Sequence, residues 1–323
     1  MDVALDASSV LAIQKCRILV VGDLMLDQFI DGEVSRISPE APVPILRETA
    51  KSQMPGGAGN VARNLAALGC NVKLIGVTGQ DETMVLLKNE ISSYGNIDFL
   101  PLCLAERPTT LKKRFRAGRH QILRVDDENT APLNDVEISR LIKMISDCIE
   151  ITDLVVLSDY AKGCLPPNVI AKVVQQTKSK RKIVIADPKL SDLSAYSGVD
   201  VLTPNLVELE RFVEVKLFDL NTIATAASKA AKQHNIGLMV TTLSERGILV
   251  ANQQGLVAYE KANALSVFDV SGAGDTVVAA IAAALAAGLP TTTAVRLANL
   301  AAGIAVAKSG TAIVKPEELI AKL

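Results

Sequence analysis

A short glycine-rich segment ending in an aspartate carries the clearest chemical signal in the sequence. Gly272-Ala273-Gly274-Asp275 leads into the apolar run Val277 to Leu285, which predicts a helix that begins at the glycines. The first amides of a helix lack partners within it, so they suit a phosphate or a developing oxyanion. Asp275 in this turn could accept a proton from an attacking hydroxyl. The alternative interpretation makes Asp275 an ordinary capping acid beside a tight loop.

A second glycine-rich segment, Pro55-Gly56-Gly57-Ala58-Gly59-Asn60, precedes a predicted helix from Val61 to Leu68. Glycine lets a ligand approach the backbone, and Asn60 can exchange hydrogen bonds with sugar hydroxyls. The segment also fits the G-x-G-x-x-A pattern, with Asp81 about 20 residues further on, which would indicate an NAD-dependent dehydrogenase. That pattern must directly follow a buried strand, whereas residues 51–55 are polar and end in proline. The segment therefore favours a substrate loop.

Asn205 and Glu208 follow a predicted strand, and their spacing places both on one face of a helix. An amide and a carboxylate suit Mg²⁺ held partly through water beside nucleotide phosphates. A capping box, with Asn205 as N-cap and Glu208 three residues later, explains the same spacing and is favoured on this segment alone. The sequence lacks G-x-x-x-x-G-K-[ST], so P-loop chemistry is excluded.

A run of basic residues follows position 111, in a chain that is otherwise balanced in charge. If Ala117-Gly118 forms a hairpin turn, strand alternation places Lys112, Arg114 and Arg116 on one face, where they could converge on an anionic substrate. Protection of an edge strand by positive charge is the alternative. The run consists of Lys112, Lys113, Arg114, Arg116, Arg119, His120 and Arg124, and Arg36 could join it.

Composition excludes several functions. Lys and Arg number 34 against 35 Asp and Glu, so no overall positive field favours nucleic acid or an anionic membrane. Tryptophan is absent and aromatic residues make up 3%, which argues against base stacking. With two His and five scattered Cys, neither a zinc site nor a disulfide framework is indicated. The N-terminus lacks a basic leader and the apolar run Val277 to Leu289 is too short to span a bilayer, so we predict a cytoplasmic protein.

Short apolar runs alternate with helical patterns over most of the 323 residues, which predicts an α/β fold with a mostly parallel sheet and helices on both faces. Asp23 directly follows the first run and should lie at the carboxyl edge of that sheet, where ligands bind. Two segments, at about 29–47 and 108–126, break the alternation and predict a small accessory β-sheet inserted into one domain spanning 1–323. The predicted strands are Arg17 to Gly22, Val72 to Val77, Leu154 to Leu157, Ile183 to Ala186, Val199 to Leu202 and Leu238 to Thr241, followed by a hairpin at 247–259.

The two glycine-rich segments and Asn205-x-x-Glu208, in this order, resemble the ribokinase-like (PfkB) carbohydrate kinases over nearly the whole chain. The segments 21–29, 35–45, 157–163 and 308–311 are more narrowly similar to the bacterial D-glycero-β-D-manno-heptose-7-phosphate kinases. The resemblance implies a ribokinase-like fold, with the accessory sheet as a lid through which a homodimer forms. Such kinases are often fused to a C-terminal adenylyltransferase, and the end of this chain at Leu323 predicts the monofunctional form.

The resemblance also implies a role for each matching residue. Asp275 would be the catalytic base, with Gly272, Ala273 and Gly274 around the transferred phosphoryl group. The residues implied to bind ATP are Asn205, Glu208, Thr242, Ser244, Gly247 and Asn299, the first two also serving Mg²⁺ through water. The implied substrate residues are Asp23, Asp27, Gly57 and Asn60 for the sugar and Lys112, Arg114, Arg124 and Arg36 for a distal phosphate.

The predicted function is ATP-dependent phosphorylation of the anomeric hydroxyl of heptose 7-phosphate, giving the 1,7-bisphosphate for ADP-heptose and lipopolysaccharide synthesis. A kinase of another sugar or sugar phosphate is the first alternative. A sugar-binding protein without catalysis would not need an acid inside the anion hole, and the dehydrogenase lacks the strand its fingerprint requires.

Overall fold

The computed structural model describes residues 5–118, 120–263 and 267–323. In chain order the strands are β1 Arg17–Gly22, β2 Leu24–Ile37, β3 Pro44–Gly57, β4 Asn71–Thr78, β5 Ile97–Cys103, β6 Thr110–Ala117, β7 His120–Asp127, β8 Leu154–Ser158, β9 Ile183–Asp187, β10 Val201–Leu202, β11 Leu238–Thr242, β12 Ile248–Asn252 and β13 Gly255–Glu260. The α-helices are α1 Ala7–Ala12, α2 Ala58–Ala67, α3 Glu82–Ser92, α4 Asp135–Ile149, α5 Pro167–Ser179, α6 Leu206–Val213, α7 Leu220–Gln233, α8 Ala273–Ala286, α9 Thr291–Val306 and α10 Pro316–Ile320.

The larger sheet has the strand order β13-β12-β11-β10-β9-β8-β1-β4-β5. Its pairs from β5 to β11 are parallel, and β12 and β13 add an antiparallel edge. The predicted mostly parallel sheet is confirmed. Because parallel strands end at a common edge, the residues that close β1, β8, β9 and β11 lie near one another.

Alternate residues of the central strands pack into two separate apolar layers. Ile18 and Val20 of β1 belong to the layer that includes α2, α8 and α9, whereas Leu19 and Val21 belong to the layer with α4, α5 and α7. A strand covered on both faces needs a nearly continuous apolar sequence, which explains the run in β1. Each such buried side chain contributes about 1.5–3 kcal/mol to folding.

The smaller sheet has the order β3-β2-β6-β7 and is the predicted accessory sheet. β2 pairs antiparallel with β3 and parallel with β6, and β7 returns antiparallel beside β6. Its first hairpin is longer than the predicted 29–47, because β2 begins at Leu24 and β3 ends at Gly57. Both strands therefore run directly into the two segments that carry Asp23 and Asn60.

One predicted strand is shorter in the structure. The pattern predicted a strand from Val199, but β10 contains only Val201 and Leu202. The amide of Val199 donates to the carbonyl of Tyr196, which closes a turn, so sheet pairing starts two residues later. Over the described residues, none of the helices is both long and apolar enough to cross a lipid bilayer.

Candidate active site

Asp275 lies in the first turn of α8, as predicted, and is held at both carboxylate oxygens. Asn60 Nδ2 donates to Oδ2 at 2.5 Å and the Tyr160 hydroxyl donates to Oδ1 at 2.7 Å. The side chain is 6% exposed. Burial raises the pKa of Asp275 to about 6, assisted by Asp27, although the two hydrogen bonds and Arg63 act in the opposite direction. Asp275 is therefore ionised at neutral pH but close enough to titration to accept a proton.

Gly272 forms the sharp entry into α8. Its φ is +76°, a conformation that a side chain disfavours, and a Cβ there would collide with the methyl group of Thr311. The Ala273 amide already donates to the carbonyl of Val270 at 3.2 Å, so this predicted anion-hole amide has a protein partner. Within the described part of the chain, the amides of Gly274 and Asp275 donate to no backbone carbonyl, as is usual for the first turn of a helix.

The second glycine segment lies directly against the first. β3 delivers Gly57, whose φ of +56° brings the chain close to β1: a Cβ would lie 2.5 Å from the Asp23 carbonyl oxygen. Asn60 follows in the first turn of α2, and it joins the two segments through Asp275. The structure thus brings Asn60 beside the candidate base, and Gly57 lies against Asp23 at the start of the same helix.

Asp23 lies at the carboxyl edge of β1, but its oxygens are occupied by backbone. Its carboxylate accepts from the amides of Tyr160 at 2.8 Å, Lys162 at 3.0 Å and Cys164 at 3.0 Å. The side chain is 2% exposed, and burial raises its pKa against these hydrogen bonds. The structure therefore uses Asp23 to hold the loop after β8, and the sugar-binding role remains a prediction.

Asn205 and Glu208 form the capping box that the sequence analysis weighed. Asn205 Oδ1 accepts from the Glu208 amide at 2.9 Å, and Glu208 Oε2 accepts from the Asn205 amide at 3.0 Å. Glu208 Oε1 also pairs with Lys189 at 3.2 Å. The Mg²⁺ role is additional to this geometry and stays a prediction.

A cleft of about 220 Å³ joins three of the predicted nucleotide residues to the candidate base. Its wall includes Asn205, Glu208 and Thr242 together with Gly274 and Asp275. The other predicted nucleotide residues meet around Lys261: Asn299 donates to its carbonyl at 2.8 Å, and a Cβ on Gly247 would contact its carbonyl carbon at 2.9 Å. Ser244 opens the short 3₁₀ turn before Gly247.

Basic residues of the lid are paired with nearby acidic residues. Lys112 pairs with Asp126 at 2.9 Å and Glu128 at 3.1 Å, and Arg124 pairs with Asp126 at 3.0 Å. Lys112 and Arg124 therefore already have acidic partners within the lid. For Lys112 the cause is strand pairing, since β7 places Asp126 directly opposite it, whereas Arg124 and Asp126 are two residues apart on one face of β7.

Arg114 and Arg116 lie on the predicted common face and are also paired. Arg114 donates to Asp27 at 2.5 Å, and Arg116 donates twice to Asp31 at 2.8 Å. Both guanidinium groups stack on Phe29, at 5.3 and 4.5 Å from its centroid. Asp27, which is predicted to bind the sugar, is therefore also the partner of Arg114 in the lid.

Arg36 is not near the base in this chain. It lies nine residues beyond Asp27 on β2, so at about 3.3 Å per residue the two residues are about 30 Å apart along the strand. It is exposed near the tip of the first hairpin. Arg119, also part of the predicted basic run, lies outside the described residues.

Three site residues were missed by the sequence analysis. Tyr160 contacts Asp275, and Arg63 donates to the Thr311 carbonyl at 2.5 Å beside the anion hole. Asp187 closes β9, lines the cleft and accepts from Thr203 at 2.8 Å. Burial and the nearby Asp275 raise its pKa well above the ordinary value. Its position directly after an apolar strand was the available signal, the same one that singled out Asp23.

Comparison with known proteins agrees with this geometry. A family model described as pfkB family carbohydrate kinase matches residues 15–318. The bifunctional protein HldE of Acidiphilium cryptum is 42% identical over 313 residues, covering 97% of this chain and 64% of that protein. The protein of the same name from Hyphomonas neptunium is 44% identical over 307 residues, covering 95% and 63%. The chain spans less than two thirds of the length of these relatives.

Solved structures show the same fold. Phosphofructokinase-2 from Escherichia coli, in complex with substrates and products, superposes with a TM-score of 0.77 at 22% identity, covering 94% of this chain and 97% of that one. Arabidopsis thaliana ribokinase, complexed with ribose and ATP, gives 0.74 at 18%, covering 95% and 98%. The predicted ribokinase-like α/β fold is confirmed. The chain belongs to the pfkB family of carbohydrate kinases.

Proposed function

We propose that this kinase phosphorylates the anomeric hydroxyl of D-glycero-β-D-manno-heptose 7-phosphate and yields the 1,7-bisphosphate, a step toward ADP-heptose and lipopolysaccharide. The observation that carries the proposal is the contact of Asp275 with both Asn60 and the cleft that holds Asn205 and Glu208. The Asp275 carboxylate thus lies between Asn60, a side chain suited to sugar hydroxyls, and the cleft that is proposed to hold the nucleotide. The identity of 42–44% to the HldE proteins supports the narrower substrate.

Asp275 supplies the base in this reaction. It takes the proton of the anomeric hydroxyl while that oxygen attacks the γ-phosphorus of ATP, and the bond to the β,γ-bridging oxygen breaks to release ADP. The amides of Gly274 and Asp275 face the charge that develops on the transferred group. At pH 7 and above, a pKa of about 6 leaves most of Asp275 ionised and ready to accept the proton.

Mg²⁺ is the proposed metal. Across the described ranges, no three His, Cys, Asp or Glu side chains are placed to hold an ion by themselves, so nucleotide phosphates must complete its ligands. Asn205 and Glu208 would hold it through water, because their oxygens already serve the capping box and Lys189. When bound, Mg²⁺ would neutralise phosphate charge.

The proposal that the substrate carries a distal phosphate depends more on the resemblance to heptose 7-phosphate kinases than on the positive charge of the lid. Lys112, Arg114 and Arg124 are predicted to read it, yet each is paired with a carboxylate. A phosphate would have to share these cations with Asp27, Asp126 and Glu128. The narrower substrate therefore depends on the segments similar to heptose 7-phosphate kinases, of which 157–163 carries Tyr160 beside Asp275.

We also propose the homodimer through the lid and a cytoplasmic location. Ile37 and Val43 on the first hairpin and Leu123 on β7 are 59%, 52% and 53% exposed, which supports a second copy as their cover. Light scattering of the wild-type protein should give twice the mass of the chain, and the Leu123→Glu variant should give the mass of a single chain. The five cysteines are unpaired, which fits a reducing compartment.

The substrate is tested by measuring ATP turnover with free heptose and with sugar 5-, 6- and 7-phosphates. We expect the highest kcat/KM for heptose 7-phosphate, with the new phosphorus signal coupled to the anomeric proton. Asp275→Asn serves as the inactive control. A higher kcat/KM for another sugar phosphate would replace the substrate but keep the chemistry. ATP-dependent phosphorylation at a different carbon would overturn the proposed reaction.

A further inference from the structure

The loop after β8 contacts one oxygen of the Asp275 carboxylate, and Asn60 contacts the other. Tyr160 belongs to this loop, is largely buried, and places its hydroxyl 2.7 Å from Asp275 Oδ1. Burial and the neighbouring Asp275 raise the pKa of Tyr160 well above 10, so the hydroxyl keeps its proton through the working pH range. Tyr160 is therefore a permanent donor to Asp275.

The position of Tyr160 is fixed by Asp23. Three amides of one short loop, those of Tyr160, Lys162 and Cys164, donate to the two oxygens of the Asp23 carboxylate. Hydrogen bonds to a buried charge are stronger than neutral ones. Asp23 itself is anchored at the end of β1, which pairs with β8 in the centre of the sheet. The loop is consequently a rigid extension of the core.

We propose that Tyr160 is a positioning residue for the candidate base, and that Asp23 acts through the loop to hold Tyr160 in place. This inference rests on the proposed function, in which Asp275 removes the proton of the sugar hydroxyl. Tyr160 and Asn60 each occupy one acceptor site of the carboxylate and thereby fix its orientation. A carboxylate has about four acceptor sites, so sites remain for the sugar hydroxyl.

The charged groups around Asp275 explain why the hydrogen bond from Tyr160 affects the ionisation of this carboxylate. Asp27 from β2 and Asp187 from the end of β9 oppose its ionisation, and Arg63 from α2 favours it. Burial adds to the opposition, which leaves the hydrogen bonds from Asn60 and Tyr160 as the main compensation. Removing one of these two donors should make Asp275 easier to protonate.

The test is the pH profile of Tyr160→Phe. If the loss of the donor moves the Asp275 pKa from about 6 to about 7, the ionised fraction at pH 6 falls about fivefold. The ratio of variant to wild-type kcat/KM for the sugar should therefore be about fivefold lower at pH 6 than at pH 8.5. The KM for ATP should stay within twofold, because Tyr160 contacts the base and not Asn205 or Glu208.

Tyr94→Phe is the control. Tyr94 packs against the apolar layer that includes α2, α8 and α9 and is not among the residues that line the cleft, so its variant loses a tyrosine hydroxyl away from Asp275. Its variant should show a ratio to wild type that does not change with pH. A general loss of stability would affect both variants in the same way.

The outcomes separate this inference from the function beneath it. If Asp275→Asn is inactive while Tyr160→Phe keeps a pH-independent ratio, the positioning role is refuted and the base survives. If Asp275→Asn turns over normally, the proposed function fails first. Asp23→Asn should reproduce the Tyr160→Phe profile, and adding Tyr160→Phe to it should cost little more. If Asp23→Asn does not fold, the profile of Tyr160→Phe alone decides the role of Tyr160.

Discussion

Replacing Asp275 with asparagine should stabilise the protein while it stops turnover. Asp275 is buried, and burial raises its pKa from the ordinary 3.8 to about 6. An acid with a raised pKa in the folded state binds its proton more tightly there than in the unfolded chain. The free energy of unfolding therefore falls as pH rises from about 4 to about 6, and the full cost is present above pH 6.

The size of this effect follows from the pKa difference. At about 1.4 kcal/mol per pKa unit, the ionised carboxylate costs about 3 kcal/mol above pH 6. With 323 residues and about 2.1 cal/mol/K each, the unfolding entropy is about 0.7 kcal/mol/K, so the melting temperature should rise by about 4 °C. The new amide can still accept from Asn60 and donate to the Tyr160 oxygen, which preserves the packing.

Thermal unfolding of Asp275→Asn and wild type at pH 4 to 8 measures the effect. The variant should be more stable at pH 8 and nearly equal at pH 4, and kcat should fall at least about 100-fold with ATP binding retained. Asp269→Asn is the control with the opposite sign, because the amides of Ser271 and Gly310 lower the Asp269 pKa against the effect of burial. An Asp275→Asn variant that is less stable at every pH would refute the reasoning, and near-normal turnover would remove Asp275 as the base.

Three further outcomes are expected. Glu208→Gln should raise the Mg²⁺ concentration for half-maximal rate more than it raises the sugar KM; a lower melting temperature with an unchanged Mg²⁺ titration would leave only the cap. Arg114→Ala should raise the KM for the phosphorylated sugar more than that for the free sugar, because the proposed phosphate would share this guanidinium with Asp27; an equal rise for both sugars would show that Arg114 serves Asp27 and not the phosphate. Gly272→Ala should lose more stability than Gly310→Ala, by about 1–3 kcal/mol in chemical unfolding, because both have positive φ but only Gly272 lacks space; equal losses would contradict the clash.

The sequence was informative where a pattern depends on neighbouring residues. The apolar run of β1 and the helix that follows Gly272 are local, and both were predicted correctly. β5 was missed because Asp98 and Pro101 interrupt its apolar pattern. Proline is tolerated there because β5 is the edge strand of the sheet and pairs only with β4. The edge position depends on the whole topology, which a local pattern does not contain.

The site shows the same division between local and long-range information. That Asp23 lies at the carboxyl edge follows from the residues around it, whereas its partners are amides 137 to 141 residues away. They could be found only after β8 was known to lie beside β1. The same holds for the basic residues of β6, because their acidic partners lie on neighbouring strands that the local sequence does not identify. Asp27 and Asp31 alternate on β2 in step with Lys112 and Arg116, a periodic signal that could have indicated pairing.

The loop that carries Tyr160 is held from two sides, and the kind of contact on each side decides which of them fixes it. From the lid, Glu128 pairs with Lys112 at 3.1 Å and with Lys162 at 2.7 Å. These side chains are 11–22% exposed, too buried for the small values of surface ion pairs, but of the two lysines only Lys162 belongs to the loop, and its flexible stem lets Glu128 move without displacing the loop backbone. From the core, Asp23 accepts three charge-assisted hydrogen bonds, each worth about 1.5–3 kcal/mol. A movement of the lid therefore breaks the Glu128 contacts before it displaces the loop, and the hydroxyl of Tyr160 stays on Asp275.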